Sequence, residues 1–120
     1  YRTFVFYGAS GGRADHTYAN LQLLAGASRQ GCVCRMVCPE CDVYAVTNGK
    51  LRLPEQKSGK IVSVFCHGGR AEGVTLRGLK YPLQGAVLTA DRPLGVSNET
   101  TGEEAAISVR NGTLLIYVML

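Results

Sequence analysis

From Val43 to Leu120 no stretch carries the three-to-four-residue spacing of a helix. Apolar residues alternate instead in short runs broken by turn residues. VYAVT and KLRLP flank Asn48-Gly49, and EEAAISVR and TLLIYVML flank Asn111-Gly112. Asn-Gly is the dipeptide that best tolerates the positive φ angles of a two-residue hairpin, so each is predicted to close one. SGKIVSVFC, EGVTLRGL, GAVLTA and PLGVSN fill the space between. Such a stretch buries apolar surface only by pairing strands, and the steady spacing predicts a sandwich or barrel.

The first forty residues read differently. RTFVFY is a strand, and Tyr18, Leu21, Leu24, Ala25 and Ser28 recur at helical spacing within Asp15–Arg29. Gly31 ends that helix, and GCVCRMVC follows as a second strand. Strand, helix and strand in this order make a βαβ unit, normally part of a parallel sheet. The expected fold is an α/β fragment, the βαβ remnant of a parallel sheet, followed by an all-β sandwich, with the border near residues 38–42. Two parallel strands are too few for such a sheet, and the chain opens and closes inside strand-like runs. It is therefore expected to be part of a longer protein.

With 46% hydrophobic and 18% charged residues, the chain has the composition of a folded domain. The net charge of +4 is scattered, which fits a small anionic ligand and argues against nucleic acid. TLLIYVML, the longest apolar run, is too short to span a bilayer. Five cysteines, an odd number, with no secretory leader favour a reducing, cytoplasmic setting. Cys38 and Cys41, with Cys32 and Cys34 nearby, have the spacing of metal ligands. Cys32 and Cys34, however, would share one face of a strand, which favours buried packing over a closed zinc site. Cys66 reads as core and His67, before Gly68-Gly69, as a surface turn.

Between the first strand and the helix lies GASGGRAD. A loop there sits at the carboxyl end of a parallel sheet, where open α/β sheets bind ligands. Gly8, Gly11 and Gly12 let a bulky group approach the backbone, and free N–H groups at the helix start favour phosphate. Arg13 can grip phosphate oxygens, and Asp15 can hold magnesium. The same residues also suit a plainer role: Asp15 as helix cap, the glycines as a tight turn, Arg13 in solvent. The spacing matches neither a dinucleotide fingerprint nor a P-loop.

GGRADHTYANLQLL resembles the Gly-Gly-Arg-x-Asp-His signature of thiamine pyrophosphokinases. EGVTLRGLKYPLQGAVLTADRPLGVSNETTGEEAAISVRNGTLLI resembles the thiamine-binding C-terminal region of the same family. The resemblance runs along the whole chain but covers little more than half of a family member. It implies transfer of pyrophosphate from ATP to the hydroxyethyl oxygen of thiamine, with Mg2+, by a homodimer. Residues 1–42 would be the end of an α/β nucleotide-binding domain and 43–120 a thiamine-binding sandwich. Arg13 and Asp15 take catalytic positions near the phosphates and metal, and Gly11, Gly12, Arg13 and His16 the ATP side. The family's second acidic metal motif precedes Tyr1, so this chain alone is expected to turn over little substrate.

Thiamine is flat and cationic, and it suits an aromatic face with a few hydrogen-bonding groups. Tyr81, held extended before Pro82, is the stacking candidate, and Ser97 and Asn98 are the polar ones. From the residues alone, Tyr81 could equally be core or rim, and Ser97-Asn98 a plain turn. In the resemblance all three contact thiamine. The competing function is a non-catalytic thiamine-binding or dimerisation module, and a weaker one is a metal-binding β domain.

Overall fold

The computed structural model describes residues 2–7, 14–92 and 94–120. In chain order the elements are β1 (Arg2–Tyr7), α1 (Ala14–Arg29), β2 (Cys32–Val37), β3 (Cys41–Thr47), β4 (Lys50–Leu53), β5 (Ile61–Arg77), β6 (Leu83–Thr89), β7 (Gly95–Glu99), β8 (Ala105–Ser108) and β9 (Asn111–Met119). The helix matches its apolar spacing: Leu24, Ala25 and Ser28 are its buried residues. Gly31, at φ +88°, stops it, and its N–H is taken by the Ser28 carbonyl at 3.1 Å.

The expected fold class is overturned. All nine strands form one curled, mostly antiparallel sheet, in the order β1-β2-β3-β9-β5-β8-β4, with β6 and β7 also paired to β5. Among the described strands only β1 and β2 run parallel. They form no separate α/β unit, because β2 turns back at residues 38–41 and pairs antiparallel with β3, which pairs in turn with β9. The sheet curls because β5, 17 residues long, serves two halves. Its first part pairs with β7 and β9, and its last with β6 and β8. Gly68 (φ +98°) and Gly73 (φ +66°) supply the backbone freedom for the bend between them.

Both Asn-Gly pairs also depart from expectation. Neither closes a hairpin, since β3 pairs with β9 and β4 with β8. They brace each other where the chain crosses between the two halves of the sheet. Gly112 N–H donates to Asn48 Oδ1 at 2.8 Å, and Asn48 N–H donates to the Gly112 carbonyl at 3.0 Å. Asn48 takes the left-handed φ of 48° that the corner needs.

The alternation of β3 and β9 feeds two cores at once. Leu114, Ile116 and Val118 face inward with Val62, Val64, Leu76 and Ile107. Leu115, Val43 and Ala45 face the other way, against Leu24, Met36 and Cys34 under α1. A hydroxyl chain ties the helix to this layer. Ser28 Oγ donates to the Ala25 carbonyl, so Thr47 Oγ1 must donate to Ser28 (2.7 Å) and Thr113 to Thr47 (2.9 Å). His67 lies inside β5, not in a turn, and its Nδ1 accepts from Arg29 Nη2 at 2.7 Å.

Candidate functional site

Strand β7 carries the most distinctive local structure. Its pairing with β5 matches Asn98 to Val62 and Gly95 to Val64, which leaves Val96 and Ser97 both opposite Ser63. This is a β-bulge, a device that re-aims side chains at the cost of ladder bonds. Gly95 is required at its root, since a Cβ there would lie 2.5 Å from the Val64 carbonyl oxygen. Ser97 absorbs the extra residue at φ +60°, an unusual conformation for a residue other than glycine. Its N–H, turned from the ladder, is taken by the buried Ser63 Oγ at 3.0 Å. As a result Val96 and Ser97 are exposed while Asn98 points inward, 3% exposed.

Asn98 uses its side chain as a clamp. Its Oδ1 accepts from the Tyr81 N–H at 2.9 Å and from its own neighbour, the Glu99 N–H, at 3.0 Å. Its Nδ2 donates to the Tyr81 carbonyl at 2.7 Å. The amide thus completes both backbone groups of Tyr81 where no strand reaches them. Tyr81 is held while the residue stays 57% exposed, with Lys80 Nζ 5.4 Å from the ring centroid. Lys80 also pairs with Glu99 at 3.6 Å. Tyr81, Ser97 and Asn98 are therefore brought together. Sequence reading did not identify Ser63, Gly95 and Lys80 as their supports, because the bulge that recruits them shows no motif.

Of the other candidates, Asp15 and His16 sit on α1, which packs on β2, β3 and β9. Gly11, Gly12 and Arg13 lie outside the described residues, as does Gly8. Asp15 falls in the first helical turn, where its charge complements the helix dipole, and its Oδ1 accepts the His16 N–H at 3.0 Å. His16 is exposed beside it. Among the described residues no three or more His, Cys, Asp or Glu are grouped to hold a metal ion. Asp15, the carboxylate expected to hold magnesium, belongs to no such group.

The cysteines of the metal-like spacing pack as core. Cys34, Cys38 and Cys41 are buried beneath α1, and all five cysteines are free thiols. Burial, with Cys38 alongside, pushes the Cys41 thiol up to about 11. Burial also raises Cys34, with Cys32 adding to it. Between α1 and the sheet runs a groove of about 580 Å³, walled by Tyr18, Leu21, Phe65, His67 and Tyr117. Phe65 and Tyr117 meet edge to face there, 5.5 Å apart. No helix among the described residues is long and apolar enough to cross a membrane.

The chain is thus a curled β domain in which a bulged strand holds an exposed aromatic residue through a buried amide clamp. The comparisons make this specific. The thiamin pyrophosphokinase vitamin B1 binding domain matches residues 49–114, more than half of the chain, and the chain belongs to that family. It is 26% identical over 110 residues to the thiamine pyrophosphokinase of Bacillus subtilis, covering 92% of this chain and 51% of that one. It is similar to the crystal structure of thiamine pyrophosphokinase from Bacillus subtilis, with a TM-score of 0.88 at 25% identity, covering 98% of this chain and 55% of that one. The thiamin pyrophosphokinase from Candida albicans shares the fold at 14% identity and a TM-score of 0.82, over 98% of this chain and 44% of its own. The chain thus spans about half the length of the relatives it matches.

Proposed function

We propose that this chain is the thiamine-holding part of a thiamine pyrophosphokinase, which moves pyrophosphate from ATP to the hydroxyethyl oxygen of thiamine and releases AMP. The observation that carries the reading is the Asn98 clamp, which fixes an exposed Tyr81 ring beside the exposed Ser97. A fixed, open aromatic face suits a flat pyrimidine and a cationic thiazolium. The Ser97 hydroxyl has no hydrogen-bond partner among the described residues and is available to the pyrimidine edge. Asn98 acts mainly through Tyr81, since its oxygen and one N–H are spent on the backbone.

On the nucleotide side, Asp15 and His16 stand at the start of α1, next to the Gly11-Gly12-Arg13 segment. In this reading that corner meets the polyphosphate of ATP, with Arg13 and Asp15 catalytic. Phosphoryl transfer needs placement and charge neutralisation more than covalent help. Magnesium would neutralise the polyphosphate, and its remaining ligands belong to a longer protein, which acts in the cytoplasm as a homodimer. One chain's Tyr81 corner would then present thiamine to the other's nucleotide corner. That no group of metal ligands forms among the described residues favours a second reading, a thiamine-binding or dimerisation module without catalysis.

Product analysis separates the two. The chain is joined to the upstream half of the Bacillus subtilis relative and supplied with ATP, magnesium and thiamine. The expected products are thiamine diphosphate and AMP in equal amounts, with little from the 120-residue chain alone. A folded fusion that binds thiamine but makes neither product supports the module. Thiamine diphosphate formed at ordinary enzyme rates by the chain alone overturns the division of labour.

A further inference from the structure

The outer face of the β4-β8-β5 ladder carries a group of cations that the thiamine corner does not use. Lys50 lies opposite Ser108, which lies opposite Thr75. Two residues along, Arg52 lies opposite Ala106, which lies opposite Arg77. Side chains two apart on a strand share a face, so these six form a two-by-three grid. The intervening residues, Leu51, Leu53, Ile107, Val74 and Leu76, pack into or against the core on the other side. The grid therefore rests on a packed apolar layer.

Arg52 and Arg77 flank the small Ala106 at two strand spacings, about 10 Å between backbones. Lys50, Thr75, Arg77, Ala106 and Ser108 line a recess of about 170 Å³ between them. Neither the lysine nor either arginine has an ion-pair partner among the described residues. Glu104, which precedes β8, is exposed and pairs with none of them. Three uncompensated positive charges over three adjacent strands repel one another, and a bound anion relieves that repulsion. The floor supplies hydroxyl donors as well. Thr75 Oγ1 accepts the Gly85 N–H at 3.2 Å, which leaves its own hydrogen free to donate. Ser108 has no hydrogen-bond partner for its hydroxyl among the described residues.

We infer that this recess is a binding site for a phosphate-type oxyanion. A carboxylate offers two oxygens and one charge. A phosphate offers a tetrahedral set of oxygens and close to two charges, which matches an arginine fork, an ammonium and two hydroxyls. The recess is too small for a nucleoside, so its occupant is free phosphate or the end of an organic phosphate ester. The site is independent of Tyr81 and of the proposed pyrophosphate transfer.

The test is a titration of the 120-residue chain with inorganic phosphate at constant ionic strength, followed through backbone amide resonances. Saturable shifts are expected at Thr75, Ala106 and Ser108, with chloride giving none. Lys50→Ala and Arg77→Ala, both at exposed positions, should weaken binding by about tenfold or more while leaving the melting temperature in place. Glycerol phosphate run in parallel identifies the source. Tighter binding than inorganic phosphate assigns the site to an ester, and equal or weaker binding assigns it to the free ion. No saturable shift in the millimolar range, shifts equally produced by chloride, or shifts that both variants leave unchanged would overturn the site.

Discussion

Asn98 and Tyr81, 17 residues apart, are joined by two opposed hydrogen bonds, Tyr81 N–H to Asn98 Oδ1 at 2.9 Å and Asn98 Nδ2 to the Tyr81 carbonyl at 2.7 Å. The amide imitates one rung of an antiparallel ladder and so extends the sheet under an exposed aromatic ring. Asn98→Ala removes both bonds, and the one Oδ1 accepts from the Glu99 N–H, and leaves polar groups without partners, at a cost of about 2–3 kcal/mol in denaturant unfolding. Asn98→Asp at neutral pH sets a buried carboxylate oxygen against the Tyr81 carbonyl, and it should be no more stable than Asn98→Ala. Equal stability for all three would remove the clamp from the account.

The bracing of the two Asn-Gly corners makes Gly112 intolerant of any side chain. At φ +133° an added Cβ would meet Ala71 Cα at 2.8 Å and the Arg70 carbonyl oxygen at 2.9 Å, both backbone atoms. Gly112→Ala is expected to destabilise by about 2 kcal/mol or more. Gly59→Ala, at φ +88° but with open space around the added carbon, should cost only the conformational part, about 1 kcal/mol. The difference, read from urea midpoints, isolates the close approach.

Cys41 gives the alkaline limit of stability. Its thiol is ordinarily near 9.0 and rises to about 11 in the fold. Between those values the unfolded chain releases the proton and the folded chain keeps it, so stability falls as pH rises from about 9 to 11. The urea midpoint should drop across that window and drop less in Cys41→Ala. Iodoacetamide at pH 8 should label the native Cys34 and Cys41 slowly and the unfolded ones quickly.

His67 gives an acid limit. Burial, and then the Arg29 guanidinium, push its pKa below the usual 6.5. The unfolded chain takes up this proton first as pH falls, so the contribution is complete above 6.5 and lost as pH drops through the lower folded value. Protonation also removes the acceptor that Arg29 Nη2 uses. Arg29→Ala should move the His67 titration, followed by ring-proton resonances, back toward 6.5. An unchanged midpoint would contradict the contact.

These relationships mark what the sequence could and could not disclose. The helix and the positions of most strands were legible, because spacing and Gly31 are local signals. Partners were not: β3 pairs with β9 across some seventy residues, and nothing in CDVYAVT announces it. The Asn-Gly pairs suggest hairpins for the same reason, since their chemistry specifies a corner and not which strands meet there. HGG has the chemistry of a turn, yet it lies inside one long strand that Gly68 and Gly73 bend, and so the sheet curls. At the candidate site Tyr81, Ser97 and Asn98 were visible through family resemblance. The bulge that turns Asn98 inward onto Tyr81 depends on Ser63, a residue of another strand.

The central claim is that the Tyr81 ring, held by Asn98 beside Ser97, receives thiamine. The most direct measurement is a thiamine titration of the isotope-labelled chain, read at the Tyr81 ring protons and at the Ser97 and Asn98 resonances. Saturable shifts centred there, abolished by Tyr81→Ala and retained by Tyr81→Trp, are the predicted result. Thiamine that leaves these resonances unmoved, or that binds Tyr81→Ala as well as wild type, would contradict it.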